Sequence, residues 1–328
     1  MLNINISAFR KKSPFIQSTR KIIQTLRLSP RTEESYVNYI TDFLKWSGWT
    51  KPENLTTQQV TDYLSWLTLE KNVAASTQNV AFSALLFLFR KVLKKEFGEV
   101  DAKRATRQAN VPEILTKEEM SVLMENLNGK WLLLTQLGYG TGLRLMELLR
   151  LRVKDCDFGN GLIIVHDGKG GKNRAVPMPR SLVDALKKQR EFVANQHAKD
   201  LANGFGDVWL PNDLAKKYLR ASREMKWQWL FPSAEICKAD DGTMRRHHLF
   251  PNGFQTALRD AAKAAGISKR CSPHILRHCH ATALLEMGRS ILEVQKRLGH
   301  KDVKTTLGYL HLVDTKSMPS PIDCMCNH

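Results

Sequence analysis

The chain has 328 residues, of which 42% are hydrophobic and 25% charged, the balance of an ordinary globular protein that is long enough for two domains. Its 50 lysines and arginines outnumber 32 acidic residues, and the formal net charge of +18 favours a polyanionic partner such as nucleic acid, although solubility alone would also explain it. No apolar run approaches the roughly 18 residues of a membrane span, and the N-terminal segment lacks the apolar stretch of a secretory signal, so we expect a cytoplasmic protein with no membrane partner.

The first 96 residues have the apolar spacing of a small helical bundle. Ser29-Pro30 is typical of a helix start, and Thr56 or Thr57 can cap a second helix. Ser76 is predicted to open a third, VAFSALLFLFRKVL, which is apolar over much of its circumference and so belongs at the buried centre.

Residues 97–112 lose this periodicity and end in a proline, which predicts a linker. The linker carries Lys103, Arg104 and Arg107, and a basic linker can lie along a phosphate backbone.

A second domain, 113–328, is predicted to begin at a capping box formed by Thr116 and Glu119. The helix that includes Trp131 is expected to break at the GYGTG turn, and the next helix carries Arg144 in its first turn. An arginine among so many apolar residues requires a partner, and Glu147 is three positions away. A purely structural ion pair is the alternative.

The clearest sheet signal is a β-hairpin, with strands at 162–166 and 174–178 around the Gly-rich tip DGKGGKN. Lys169 lies in that tip. It can reach into a groove and donate a proton, or it can be an ordinary solvated turn lysine.

Residues 180–203 are predicted to be helical, and 205–232 are unusually aromatic. Aromatic and basic side chains together suit base stacking beside phosphate contacts, whereas a plain aromatic core is the alternative. The MRRHH cluster at 244–248 is expected to be exposed, and one more helix should end at Gly266. The aromatic and basic residues of 205–232 are Trp209, Tyr218, Trp227, Trp229, Phe231, Lys216, Lys217, Arg220 and Arg223.

The segment 273–309 concentrates residues that suit chemistry on a phosphodiester. A helix should start at Pro273, and His274 and Arg277 would then share one face near its N-terminus, where anions bind. Gly299 can end the next helix before His300, and Tyr309 falls in one further helix. These side chains could meet around one phosphate.

Several other types of chemistry have no support in the sequence. There is no P-loop, dinucleotide-binding fingerprint or His-Glu-x-x-His motif. The six cysteines are scattered apart from Cys324 and Cys326, and this tail lacks a second ligand pair at zinc-finger spacing. No metal or other cofactor is therefore predicted.

These motifs in combination resemble the catalytic set of tyrosine recombinases, and the resemblance extends over essentially the whole chain. It implies a mainly α fold with a small antiparallel β-sheet (α+β): a helical core-binding domain at 1–96, the linker 97–112 and a catalytic domain at 113–328. The residues that carry the resemblance are Arg144, Glu147, Gly168-Lys169-Gly170, His274-x-x-Arg277-His278, Leu298-Gly299-His300 and Tyr309.

The resemblance also implies a role for each residue. Arg144 and Arg277 would clamp the scissile phosphate, and Tyr309 would attack it to give a 3′-phosphotyrosine. Lys169 would be the general acid for the departing 5′-oxygen. The remaining implied roles are proton transfer near the nucleophile for His274, a hydrogen bond to the phosphate for His300, and a bracing role for Glu147.

The aromatic insertion at about 205–232, together with MRRHH, resembles the additional segment of integron integrases. That likeness implies capture of gene cassettes by a homotetramer that recombines a duplex site with a folded single-stranded DNA hairpin read through unpaired bases. The chain departs from the family pattern at Cys279, Gly308 and Leu310. The positions implied to contact DNA are His166, Pro211, Lys217, Trp227, His247 and His248, in addition to the linker cations.

Overall fold

The computed structural model describes residues 9–10, 13–100, 113–166, 173–210, 214, 217–218, 220–239, 241–300 and 302–307. The chain divides into two compact units, 1–111 and 112–328, and each has its own hydrophobic core. The predicted linker, 97–112, falls mostly outside the described residues, and so do Lys103, Arg104 and Arg107.

The first unit is helical throughout its regular structure. Its described elements are α1 (Pro14–Thr25), α2 (Pro30–Trp46), a 3₁₀ turn (Pro52–Asn54), α3 (Thr57–Leu69), α4 (Ala75–Phe87) and a π-helical segment (Leu88–Leu93). The Ser29 side chain caps α2 by accepting from the Thr32 N–H, and Thr56 caps α3 in a capping box with Gln59. Both predicted starts are confirmed.

The predicted start of the third helix is wrong by one residue. The helix α4 begins at Ala75, before Ser76, and its N-cap residue has no capping side chain. A tertiary contact fixes this end instead, because the buried Gln78 amide donates to the Leu64 carbonyl at 3.0 Å and to the Thr68 hydroxyl at 2.8 Å.

The second unit combines helices with two small antiparallel sheets, which confirms the expected α+β class. A three-stranded sheet has the order β1-β2-β3, and β4 pairs with β5. The described helices are α5 (Lys117–Glu125), α6 (Gly129–Thr141), α7 (Leu145–Leu149), α8 (Val183–Ala202), α9 (Pro251–Ala264), α10 (Pro273–Glu286), α11 (Ile291–Leu298) and α12 (Lys304–Leu307). The strands are β1 (Cys156–Asp157), β2 (Leu162–Val165), β3 (Arg174–Pro177), β4 (Pro232–Lys238) and β5 (Met244–His248).

The expected break at GYGTG occurs at the last residue of that turn. The helix α6 continues through Gly138 and Gly140 and ends only at Gly142, whose φ is +64°. A Cβ on Gly140 would lie 2.9 Å from Pro179, and one on Gly138 would lie 3.2 Å from Leu276. These glycines are therefore required for close packing rather than to break the helix.

The predicted hairpin is confirmed as β2 and β3, with Val165 opposite Arg174 in the register. Its tip, residues 167–172, lies outside the described residues and includes Lys169.

The expected exposure of MRRHH is wrong at two positions. This segment is the strand β5, and Arg246 and His248 are buried. The guanidinium of Arg246 donates twice to Asp200 of α8, at 2.5 and 2.7 Å, and this ion pair explains how a cation is accommodated in the interior. The pair ties the β4-β5 hairpin to α8.

The aromatic region 205–232 divides between the two alternatives. Trp229 and Phe231 are buried, as a plain core would require, whereas Trp209 and Tyr218 are exposed. Within the part of the chain that is described, no helix is long and apolar enough to cross a membrane.

Candidate active site

Two segments that are distant in the sequence meet at Glu147. Arg144 is the N-cap residue of α7, and its backbone N–H and its Nη1 both donate to the Glu147 carboxylate at 2.8 Å. Arg174, the first residue of β3, donates from Nη1 and Nη2 to the two carboxylate oxygens at 3.0 and 2.7 Å. Two guanidinium groups are therefore held side by side on one carboxylate, and the predicted pairing of Arg144 with Glu147 is confirmed.

The pKa of the Glu147 carboxyl group lies well below its usual range, so the group stays ionised even in acid. Burial alone would raise its pKa, but the hydrogen bonds from Arg174 and from the Arg144 backbone, the positive charge of Arg174 and the hydrogen bond from the Arg144 side chain lower that pKa to about 2. The side chain is only 8% exposed. Glu147 is thus a permanent anion at neutral pH.

Backbone carbonyls hold Arg277 in place. Its Nη1 donates to the Gly142 carbonyl and its Nη2 to the Leu298 carbonyl, both at 2.6 Å, and the residue is 4% exposed. Gly142 lies two residues before Arg144, and the neighbouring Gly299 carbonyl accepts from Arg144 Nη2 at 3.3 Å. The two predicted phosphate ligands are consequently fixed by the same two chain segments.

His300 lies next to this cluster. Its Nδ1 is 2.9 Å from the Thr306 hydroxyl. Burial lowers the pKa of His300 to about 4, and the positive charges of Arg277, Arg144 and Arg174 add to the effect. A neutral imidazole at physiological pH can donate one hydrogen bond without adding charge.

The helix α10 begins at Pro273 as predicted and carries Arg277 together with three histidines. His274 is exposed, unlike Arg277, although the two are three positions apart. Burial lowers the pKa of His278, as do the charges of His274 and Arg277. His280 is buried, and its Nδ1 lies 2.7 Å from the Tyr139 carbonyl.

Three predicted site residues of the second unit, like the linker cations, are not among the described residues. They are Lys169, Tyr309 and Pro211. The helix expected to carry Tyr309 is described only as Lys304–Leu307.

A cavity of about 470 Å³ opens beside Glu147. Its wall contains Trp227, whose ring has the Lys154 ammonium 3.8 Å and the Arg152 guanidinium 5.6 Å from its centroid. Arg152 also lies 3.9 Å from the centroid of Trp229. The remaining lining residues are Met146, Arg150, Leu151, Asp155, His166, Asn173, Trp209 and Leu214.

His166 is half-exposed at this cavity, with its Nε2 3.0 Å from the buried Asp155 carboxylate. Burial raises the pKa of Asp155, against the opposing effects of the Arg152 N–H and of His166. Among the other predicted DNA contacts, Lys217 is exposed and lies 5.5 Å from the Tyr218 ring.

The adjacent histidines His247 and His248 differ in their surroundings. His248 is buried, its Nδ1 lies 2.7 Å from the Leu249 carbonyl, and burial lowers its pKa to about 4. His247 is half-buried and stacks on the exposed Phe250, with ring centroids 5.4 Å apart and an interplanar angle of 7°. Of the pair, His247 has the more accessible aromatic face.

Sequence reasoning missed Arg174, which it treated only as a strand residue. The available signal was weak: a charged residue opens the second strand of the hairpin directly after DGKGGKN.

Across the described residues, no group of three or more His, Cys, Asp or Glu side chains is placed to hold a metal ion.

Comparison with known families decides which protein class this geometry belongs to. The model of the phage integrase family matches residues 113–316, and that of the phage integrase N-terminal SAM-like domain matches residues 15–99. The chain belongs to the phage integrase family, the tyrosine recombinases. These enzymes cleave and rejoin DNA strands.

Relatives of this tyrosine recombinase match it nearly end to end. A protein named Integrase/recombinase from Escherichia coli is 40% identical over 318 residues, which cover 94% of this chain and 93% of the relative. Tyrosine recombinase XerA from Thermococcus kodakarensis is 28% identical over 285 residues, which cover 86% of this chain and 84% of the relative.

Solved structures show that the fold is that of DNA-bound tyrosine recombinases. The XerH recombinase bound to a palindromic difH substrate, in a post-cleavage complex, superposes with a TM-score of 0.62 at 20% identity, covering 94% of this chain and 84% of that one. A lambda integrase tetramer bound to a Holliday junction superposes with a TM-score of 0.62 at 19% identity, covering 97% of this chain and 83% of that one.

Proposed function

We propose that this tyrosine recombinase is of the integron integrase type. It integrates and excises gene cassettes by recombining a duplex site with a folded single-stranded hairpin, as a homotetramer on synapsed DNA in the bacterial cytoplasm. The observation that carries the proposal is the cavity between Glu147 and Trp227, which joins aromatic rings and cations to the candidate cleavage site. Its volume is within the range of about 300–1,000 Å³ typical of small-ligand pockets.

The cleavage chemistry assigns one task to each candidate residue. The Tyr309 phenol attacks the scissile phosphorus while His274 takes up its proton, the bond to the 5′-oxygen breaks, and Lys169 supplies the proton that makes that oxygen a hydroxyl. The DNA 3′ end is left as a phosphotyrosine ester. Reversal of the same step by a 5′-hydroxyl of another strand completes the exchange, and the energy of the broken bond is conserved in the ester.

The described side chains support this assignment for the phosphate clamp. Arg144 and Arg277 are held from behind by Glu147 and by the carbonyls of Gly142, Leu298 and Gly299. Donors fixed before the substrate arrives stabilise the charge of a phosphorane without reorganisation. In the proposal His300 donates to the same phosphate, and His274 assists proton transfer near Tyr309.

Recognition of unpaired bases is assigned to the aromatic surfaces of the catalytic unit. An extrahelical base can stack on an exposed ring without a hydrogen-bond code, and cations near the ring bind its phosphate. Trp227 is half-buried and lines the cavity, and Lys154 and Arg152 adjoin its ring. His247 stacked on Phe250 offers a second platform, and His166, Lys217 and Pro211 complete the proposed set. His248, implied by the resemblance to contact DNA, is left out because its ring is buried. Backbone contacts by Lys103, Arg104 and Arg107 remain a prediction.

A pair of nicked suicide substrates tests the integron assignment. One is the folded single-stranded hairpin with its extrahelical bases, and the other is the same arm sequence as a full duplex. Because base stacking on an aromatic side chain contributes about 1–3 kcal/mol, we expect Trp227→Ala to reduce adduct formation on the hairpin about 5- to 160-fold. Adduct formation on the duplex should change little.

The matched control is Phe192→Ala, which removes an exposed ring of the same unit that does not line this cavity. It should leave both substrates unaffected. Equal cleavage of duplex and hairpin by the wild type, or an equal loss on both in Trp227→Ala, would contradict the integron assignment and favour a recombinase that acts on two duplexes.

A further inference from the structure

We infer that Arg174 is a positioning residue of the cleavage site, which fixes Glu147 and thereby the guanidinium of Arg144 without binding DNA itself. The inference rests on the proposed role of Arg144 as a phosphate ligand. Its basis is the set of contacts that Arg174 makes with two of the segments that hold Arg144.

Arg174 connects three elements through its three donor nitrogens. It starts β3, its Nη1 and Nη2 bind the Glu147 carboxylate of α7, and its Nε donates to the Arg297 carbonyl near the end of α11 at 3.1 Å. A fork–fork pair between guanidinium and carboxylate fixes the plane and the position of both groups. Glu147 therefore cannot rotate away from Arg144 while Arg174 is in place.

The order of exposure places Arg174 behind Arg144. The side chain of Arg144 is 27% exposed, that of Arg174 is 12% exposed and that of Glu147 is 8% exposed. Only Arg144 has a substantial surface to offer an incoming phosphate. Arg174 supports it from the protein side.

Arg174 also packs on the second segment that holds Arg144. A Cβ on Gly299 would lie 3.1–3.3 Å from Cδ, Nη1 and Cζ of Arg174, so the guanidinium lies close against this glycine. The carbonyl of Gly299 accepts from Arg144 Nη2, and His300 follows in the chain. Both residues that anchor the Arg144 guanidinium, Glu147 by its carboxylate and Gly299 by its carbonyl, thus have Arg174 as a neighbour.

The same residue links this site to the hairpin that carries the proposed general acid. Arg174 lies opposite Val165 in the β2-β3 register, and residues 167–172 with Lys169 connect the two strands. Anchoring of β3 at Glu147 therefore fixes one end of that connection beside the phosphate clamp.

A lysine at position 174 separates charge from geometry. Lysine retains the positive charge and a long apolar stem, but its single ammonium cannot bind two carboxylate oxygens and the Arg297 carbonyl in one plane. If Arg174 only neutralises Glu147, Arg174→Lys should be active. If it positions Arg144, Arg174→Lys should remain impaired although the protein folds.

The test measures DNA affinity, and separately the rate of covalent adduct formation on a nicked duplex, for wild type, Arg174→Gln, Arg174→Lys, Glu147→Gln and the double variant Glu147→Gln/Arg174→Gln. Arg180→Gln, which removes an exposed charge of the same unit, is the matched control. We expect unchanged Kd throughout, adduct rates about 100-fold lower in both Arg174 variants, and a double variant no slower than Glu147→Gln.

A second substrate distinguishes positioning from general damage. A methylphosphonate at the scissile position lacks the negative charge that Arg144 neutralises. On this substrate the factor by which Arg174→Gln lowers the adduct rate should therefore be smaller by about tenfold or more. A rate defect of equal size on both substrates would indicate a merely structural role. Thermal unfolding of Arg174→Lys confirms that the protein measured is folded.

The possible results distinguish a failure of this inference from a failure of the proposed cleavage function on which it rests. If the wild type forms the adduct, three results would each overturn the positioning role alone. They are an adduct rate in Arg174→Lys equal to that of the wild type, a loss in the double variant equal to the product of the two single losses, and a weaker DNA affinity of the Arg174 variants at an unchanged adduct rate. Absence of any adduct from the wild type would overturn the proposed cleavage roles and this inference with them.

Discussion

The guanidinium of Arg277 donates to the carbonyl of Gly142 at 2.6 Å, two residues before Arg144 in the chain. The link connects α10 to the end of α6, and a second bond of the same length connects Arg277 to Leu298 at the end of α11. Both residues proposed to bind the scissile phosphate are therefore oriented by the backbone. A site oriented in this way should depend on the shape of its arginines as much as on their charge.

Arg277→Lys should abolish most cleavage while DNA binding persists. An ammonium cannot reproduce a fork that reaches the Gly142 and Leu298 carbonyls and the phosphate together. We expect the adduct rate to fall at least about 100-fold and Kd to change less than about threefold, measured by adduct formation and gel shift. Arg289→Lys, an exposed position just after the same helix, serves as the control, and equal effects of the two variants would contradict the role of Arg277.

Gly142→Ala should lower the free energy of unfolding by more than the cost of placing an alanine in the left-handed backbone conformation. A Cβ there would lie 2.5 Å from Cδ2 of His280 and 2.8 Å from Leu298, in addition to the strain at φ +64°. Gly161 has the same φ with no atom within 4 Å of its hypothetical Cβ, so Gly161→Ala isolates the backbone cost of about 1–2 kcal/mol. Urea unfolding should show a loss for Gly142→Ala that is larger by about 1–3 kcal/mol; equal losses would show that the contact with His280 is unimportant.

Glu147→Gln should destabilise the catalytic unit in a pH-dependent way. Removal of the anion leaves the largely buried Arg174 unpaired, at a cost of about 3 kcal/mol near neutral pH. Because the pKa of Glu147 is lowered to about 2 from an ordinary 4.5, its contribution is fully present above about pH 4.5 and is lost as the pH falls through 2. The free energies of unfolding of the two proteins should therefore converge in acid, and a difference that stays constant between about pH 5 and 3 would contradict the assigned pKa.

Arg246→Met and Arg245→Met make a matched pair on one strand. Arg246 is buried and pairs with Asp200, so its loss leaves an unpaired buried carboxylate and should cost about 3–5 kcal/mol. Arg245 pairs with the exposed Asp241, and its loss should cost under about 1 kcal/mol. Denaturant unfolding of both variants measures the difference. Similar costs would mean that the Arg246–Asp200 pair does not anchor the β4-β5 hairpin.

Features of the fold that depend on neighbours in sequence could be predicted, and those that depend on distant partners could not. Ser29, Thr56 and Thr116 cap helices through contacts three residues away, and the Arg144–Glu147 pair is equally local. Arg174 meets a carboxylate 27 positions earlier, which no local pattern indicates.

Burial misled the sequence reasoning in the same way. The MRRHH segment reads as a surface cluster until Asp200, 46 positions before Arg246, is placed against it. The glycines before Gly142 read as a helix break, because the side chains of Pro179 and Leu276 that require them are remote in sequence. In each case the missing information was the identity of the packing partner.

The central claim is that a phenol on residue 309 becomes joined to the 3′ phosphate of a DNA strand at the site of Arg144 and Arg277. The most direct measurement is peptide mapping by mass spectrometry of the adduct trapped on a nicked suicide substrate. We expect the nucleotide on Tyr309, and no adduct from Tyr309→Phe at unchanged DNA affinity. An adduct on another residue, or one that persists in Tyr309→Phe, would contradict the account.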